Sequence, residues 1–279
     1  MALASAAITY PDLEKRFIAW AKSSANVAGL ICYGSRSTSE RVVDSYSDLD
    51  LMVFSMDPEI YSSDEWLNGF GDIWISALNF TGAGDREWFI IFEGGLKVDV
   101  VFTEANHGFQ LKEQMDFSPY GEVIEQGFRV LFEAESLQRT TSEVGREEQL
   151  SALSPPLTLN LALIRVFKAV TLYRRGDFAR AKTTLIEGVI RQLVTILESY
   201  GKTATPNALD AQDRRKTKLN LLLEQSTSLE AIARDADPAH LRESLLTSLS
   251  LISDIGSLRS DWQHDPFPTK GQAEVMRWL

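Results

Sequence analysis

Gly34-Ser35-Arg36, followed by Asp48-Leu49-Asp50-Leu51-Met52-Val53-Phe54, is the stretch from which the rest of the chain can be read. Side chains alternate between the two faces of a strand. Asp48 and Asp50 therefore share one face, about 7 Å apart along it, and Leu49 and Leu51 share the other. Two carboxylates on one face can converge on a hard divalent cation such as magnesium, which takes oxygen ligands. The competing reading is a strand edge at which both aspartates face water. Just upstream, Val27-Ala28-Gly29-Leu30-Ile31-Cys32-Tyr33 is nearly continuously apolar, which predicts a strand covered on both faces. Gly34 and Ser35 then open a small polar loop that reads as a phosphate-holding turn. Glycine lets backbone N–H groups approach an anion, and Ser35 can donate a hydroxyl bond. Arg36 either reaches a phosphate or stands solvated in the loop.

Upstream, Pro11 to about Val27 predicts a helix, with Pro11 at a first helical position and Leu13, Phe17, Ile18 and Ala21 on one stripe. Downstream, the four-residue spacing of Trp66, Phe70 and Trp74 predicts a helix over Ser63 to Ile75 with an aromatic core face. Glu87 to Phe92, then Glu93-Gly94-Gly95, then Leu96 to Phe102 read as a β-hairpin, with the glycines supplying the positive φ of a tight turn. Within Leu96-Lys97-Val98-Asp99-Val100-Val101-Phe102, Asp99 is a lone aspartate in an apolar strand, and such local violations gather at functional sites. If this strand lies beside the Asp48 strand, three carboxylates meet. That set can hold magnesium, and one member can also take a proton.

The second half of the chain changes character. Gln138 to Gln149 is polar, and Ser154-Pro155-Pro156 breaks the chain, which places a domain boundary near Gln138. Beyond it the period is helical. Leu163, Phe167 and Val170 form one stripe, and Gly176-Asp177 makes a turn. Phe178, Ala181, Leu185, Val189, Leu193 and Ile196 form a long second stripe closed by Gly201. Leu219 to Leu223 suggests a further helix. Asp237 and Pro238 open another, with Leu241, Leu245, Leu249 and Ile252 at helical spacing. A helical bundle is expected.

Composition narrows the function classes. The chain has 279 residues, 44% hydrophobic and 24% charged, a soluble globular profile. No apolar run is long enough for a membrane span, and the first residues do not read as a secretory signal. A single cysteine, Cys32, excludes an internal disulfide and a cysteine zinc site and reads as a buried thiol. A cytoplasmic location is expected. The net charge of −11 argues against a nucleic-acid partner. It suits a cationic small molecule, or merely aids solubility. His107, His240 and His264 lack metal-ligand spacing. No P-loop, nucleophile elbow or dinucleotide fingerprint occurs.

Gly34-Ser35-Arg36, Asp48-Leu49-Asp50 and Lys97-Val98-Asp99-Val100 together resemble the nucleotidyltransferase superfamily related to DNA polymerase β, and within it the antibiotic nucleotidyltransferases. The stretch Trp88 to Asp99 resembles the streptomycin (aminoglycoside 6-) adenylyltransferases. Leu172 to Ala181 resembles the larger, two-domain lincosamide nucleotidyltransferases. The resemblance implies an α+β fold. Residues 1–138 would form an N-terminal nucleotidyltransferase domain, a mixed sheet flanked by helices, and residues 139–279 a C-terminal helical substrate-binding bundle. It implies that Gly34, Ser35 and Arg36 bind a nucleoside triphosphate, ATP by the resemblance, with Lys182 as a further phosphate contact or a solvated helix lysine. Asp48, Asp50 and Asp99 would hold magnesium. Asp99 is the candidate base, with Glu187 and Asp177 as alternatives. The acceptor would be a small molecule, with no nucleic-acid or membrane partner, and the protein a monomer or homodimer. Acidity favours an aminoglycoside such as streptomycin over a lincosamide. Other readings are a different metabolite, a protein or RNA acceptor, a non-catalytic nucleotide-binding module, and a fused toxin–antitoxin pair. Retention of all three aspartates favours activity.

Overall fold

The computed structural model describes residues 8–38, 43–107, 121, 127–134, 155–193, 196, 237–257 and 269–279. The chain divides into two compact units, Met1–Ala152 and Leu153–Leu279. The boundary expected near Gln138 lies outside the described residues, as do Gly201 and the helix expected at Leu219 to Leu223.

The first unit is a sheet backed by a helix. The helix, α1, spans Tyr10–Ser23, opened by a capping box between Thr9 and Asp12 and by Pro11 in its first turn. It ends before Val27, because the apolar run from Val27 is a strand. The strands are β1 (Val27–Tyr33), β2 (Leu49–Ser55), β3 (Ile73–Phe80), β4 (Arg86–Phe92), β5 (Leu96–Glu104) and β6 (Phe128–Glu133). Their order across the sheet is β3-β4-β5-β2-β1-β6. β2 and β5 run parallel, and the other neighbours run antiparallel. The sheet is therefore mixed, and the described fold is α+β.

The predicted hairpin is β4 and β5, with Phe92 paired to Leu96 and both Gly94 and Gly95 at positive φ. The helix expected over Ser63 to Ile75 is not there. Short 3₁₀ turns occupy Pro58–Ser62 and Asp64–Leu67, and β3 begins at Ile73. Gly69 and Gly71 take φ of 94° and 127°, values no continuing right-handed helix allows. Trp66 and Phe70 still join the core, at the ends of short turns, whereas Trp74 lies on β3. Four-residue aromatic spacing was satisfied by packing and not by helical periodicity.

One sheet face carries Leu49, Leu51 and Val53 of β2 with Val98, Val100 and Phe102 of β5. All six are buried. Against this face lie α1 and an aromatic cluster, with Trp20 edge-on to Phe102, Tyr61 stacked on Phe102, and Trp66 against Trp88. The other face carries Asp50, Met52, Asp99 and Val101, so the alternation that drives Leu51 inward sets the aspartates opposite.

In the second unit, α2 (Pro155–Arg174) ends at Gly176, whose φ is 78°. The next helix, α3, starts at Phe178–Thr183 with Asp177 as its N-cap and continues as a π-helical segment over Thr184–Ile190. Ala181, Leu185, Val189 and Leu193 are all buried. They repeat every fourth residue, which drifts about 40° per step around a regular α-helix. The wider π turn takes up that drift. Helix α4 spans Pro238–Ser257, with Asp237 receiving the Ala239 N–H at 3.3 Å. Leu241, Leu245, Leu249 and Ile252 face its core as expected. A helix that the sequence reading did not single out, α5 (Thr269–Trp278), sets Trp278 4.6 Å from Phe167 between ring centres.

Candidate active site

The site is built where β2 and β5 run side by side. Their parallel register pairs Leu49 with Val98 and Asp50 with Asp99. Asp48 immediately precedes β2. One oxygen from each of Asp48, Asp50 and Asp99 lies within 4.8 Å of the others. The condition set by the sequence, that Asp99 lie beside the Asp48 strand, is met.

β1 delivers the second part. It ends at Tyr33, which pairs with Asp50, and Gly34–Arg36 follows as a single 3₁₀ turn. Gly34 has φ +68°. A Cβ built there would lie closer than 3.0 Å to Asp50 Oδ2 and 3.2 Å from its Cγ. Only glycine fits this position without moving the carboxylate. The turn is tied by the Ser37 hydroxyl, which donates to the Gly34 carbonyl at 2.8 Å. Arg36 donates through Nε and Nη2 to the Ser47 carbonyl at 3.1 and 2.9 Å. Its guanidinium also lies 3.6 Å from the centre of the Tyr10 ring. Arg36 thus fixes the backbone one residue before Asp48. Ser47 and Asp44 bond each other reciprocally: the Ser47 hydroxyl donates to Asp44 Oδ1 and the Asp44 N–H donates to Ser47 Oγ.

Lys97 completes the cluster. It is two residues before Asp99, hence on the same face of β5, and it is buried. Its Nζ donates to Asp48 Oδ2 and to Asp99 Oδ2, each at 2.7 Å. Burial pulls the ammonium pKa down, but the Asp99 and Asp48 charges and hydrogen bonds outweigh it, so the pKa is raised and Lys97 stays charged. Its backbone N–H donates to the Tyr10 hydroxyl at 3.1 Å. The Tyr33 phenol is held neutral, its pKa raised well above the ordinary value by burial first and then by Asp50 and Asp99.

The structure brings together Gly34, Asp48, Asp50 and Asp99, with Ser35 half-buried in the adjoining turn and Arg36 behind it. Lys182 lies in the second unit, half-buried on α3. Asp177 caps α3 and pairs with Arg180, and Glu187 is exposed on its π-helical segment. Lys97, Tyr10 and Tyr33 were given no role from the sequence. The signal for Lys97 was available: a lysine two positions before a strand aspartate shares its face, and a buried lysine needs an anionic partner. Three carboxylates are hard oxygen donors without sulfur or nitrogen, and such a set fits magnesium better than zinc or copper. Among the described residues this is the group of acidic side chains close enough to hold a cation.

The family model for streptomycin adenylyltransferase matches residues 9–147. Two solved structures are similar over most of their length. One is an aminoglycoside 6-adenyltransferase from Bacillus subtilis, at 14% identity and TM-score 0.32, covering 96% of this chain and 90% of that one. The other is a nucleotidyltransferase-like protein from Exiguobacterium sibiricum, at 15% identity and TM-score 0.20, covering 96% of this chain and 89% of that one. No curated protein sequence is similar enough to count as a match. Residues 9–147, which hold the Gly34 turn and all three aspartates, carry the match to the streptomycin adenylyltransferase family, and the chain is a nucleotidyltransferase.

Proposed function

We propose that the protein transfers AMP from ATP to a hydroxyl of a small cationic acceptor, an aminoglycoside such as streptomycin, and releases pyrophosphate. The observation that carries this reading is the pairing of Asp50 with Asp99, which gathers three carboxylates within 4.8 Å beside the Gly34 turn. Asp48, Asp50 and Asp99 hold magnesium, which when bound neutralises phosphate charge. The Gly34-Ser35 turn receives the triphosphate with its backbone N–H groups and the Ser35 hydroxyl. Arg36, next in the turn, adds positive charge beside it. Asp99 takes the proton of the attacking hydroxyl. The acceptor assignment is supported by the family match and by the net charge of −11, which concentrates cations near the protein.

The test measures pyrophosphate release with each nucleoside triphosphate, magnesium and a panel of aminoglycosides and lincosamides. Release is expected with ATP and an aminoglycoside, and loss of release in Asp48→Asn. Release only with a lincosamide would replace the acceptor. No release with any acceptor, or undiminished release from Asp48→Asn, would sink the reading.

A further inference from the structure

Lys97 is an ammonium inside a cluster whose other charged members are carboxylates. Its side chain is 5% exposed, against 27% for Asp48 and 11% for Asp99. It touches two of the three carboxylates that converge within 4.8 Å. Three carboxylates this close, partly shielded from water, repel one another strongly when nothing positive lies among them. Lys97 is that positive charge, and the neighbouring fold leaves it little alternative. Its Nζ lies 5.6 Å from the centre of the Phe89 ring, and its backbone is tied to Tyr10. An ammonium so enclosed keeps its anionic partners. A divalent ion draws on the same carboxylates and meets the ammonium's charge at close range, so each weakens the hold of the other.

We propose that Lys97 is a built-in counter-ion for the Asp48–Asp50–Asp99 cluster, holding the carboxylates together without metal and weakening their grip on a bare divalent cation. This rests on the reading of the cluster as a metal site. Lys97 is thus a positioning residue, acting through Asp48 and Asp99, and its effect falls on metal affinity separately from any effect on turnover.

The experiment titrates the full chain with Mn²⁺, without nucleotide, and follows the free-ion paramagnetic resonance signal. Wild type, Lys97→Met, Lys97→Arg and the double variant Lys97→Met/Asp50→Asn are compared. Lys97→Met should bind Mn²⁺ about tenfold tighter or more, since a nearby like charge has been removed. Lys97→Arg, which keeps the charge, should stay within about twofold of wild type. The thermal midpoint of Lys97→Met should also rise further with Mn²⁺ than that of wild type, because the ion then does what the ammonium did. Equal or weaker Mn²⁺ binding by folded Lys97→Met overturns the proposal while leaving the metal site standing. Binding by Lys97→Met that survives Asp50→Asn overturns the metal reading and the proposal with it. If Lys97→Met is unfolded without metal, refolding on Mn²⁺ addition upholds the proposal, and failure to refold overturns it.

Discussion

Replacing Gly34 by alanine tests the geometry of the site with a single methyl group. Two separate costs apply. Gly34 has φ +68°, and placing an L-residue in the left-handed region costs about 1–2 kcal/mol. The new Cβ also lies closer than 3.0 Å to Asp50 Oδ2. The carboxylate must turn away, and an off-rotamer side chain costs about 0.5–1.5 kcal/mol. Together the loss of stability is about 1.5–3.5 kcal/mol, read from urea unfolding as a lower midpoint with an unchanged slope. The effect on catalysis should be larger than this loss implies. Asp50 belongs to the group whose oxygens converge within 4.8 Å, and misplacing a reacting group by about 1 Å can cost about 100-fold in rate. Gly69 is the control. Its φ is +94°, but nothing lies within 4 Å of a built Cβ. Gly69→Ala should pay the backbone cost and keep full turnover. Pyrophosphate release, measured on folded protein under saturating substrates, separates the two. Gly34→Ala with wild-type turnover would refute the claim that this glycine exists to admit Asp50. Equal loss in both variants would show that backbone strain alone explains it.

Arg36→Ala removes the two donors on the Ser47 carbonyl and the cation over Tyr10. We expect a stability loss of about 1–3 kcal/mol and a fall in kcat larger than the rise in KM for ATP, because Asp48 loses its anchored neighbour. Arg36→Lys should resemble alanine, since a point charge cannot supply the planar pair of bonds. A change confined to KM for ATP would make Arg36 a phosphate ligand alone. The Cys32 thiol is buried, and burial pushes its pKa up to about 11. The protonated thiol is therefore favoured in the folded state, and this contribution is fully present below the ordinary value of 9.0 and is lost as pH rises toward 11. Native protein should not react with a thiolate-directed reagent at pH 8, and urea should release one reactive thiol per chain. Stoichiometric labelling without denaturant would contradict the burial.

Much of the first unit was legible along the chain because its signals are local. A continuous apolar run marked β1, the alternating Asp48 and Asp50 marked β2, the Gly94-Gly95 pair marked the β4–β5 hairpin, and Pro11 marked the helix start. The aromatic spacing of Trp66, Phe70 and Trp74 misled because a period of four marks neighbours in space only if the backbone is helical. Gly69 and Gly71, at positive φ, interrupt the backbone there. β6 carried no clean alternation, being half-exposed along its length. The π-helical segment in α3 was visible only as a stripe of strict fourth residues, a pattern an α-helix also tolerates over two turns.

The amino-acid sequence by itself singled out the candidate site residues. A glycine after a strand, two carboxylates in one alternating pair and a third in an apolar strand are properties of neighbours along the chain. Whether they meet was decided by the tertiary structure. β5 reaches β2 across 49 residues, measured from Lys97 to Asp48, and no local pattern encodes which strands pair or in what register. The register that sets Asp50 against Asp99 also sets Lys97 between Asp48 and Asp99. A slip of one residue would turn all of these side chains to the opposite face. The carboxylates were legible because strand alternation is local, whereas their counter-ion emerged only when two distant strands were laid side by side.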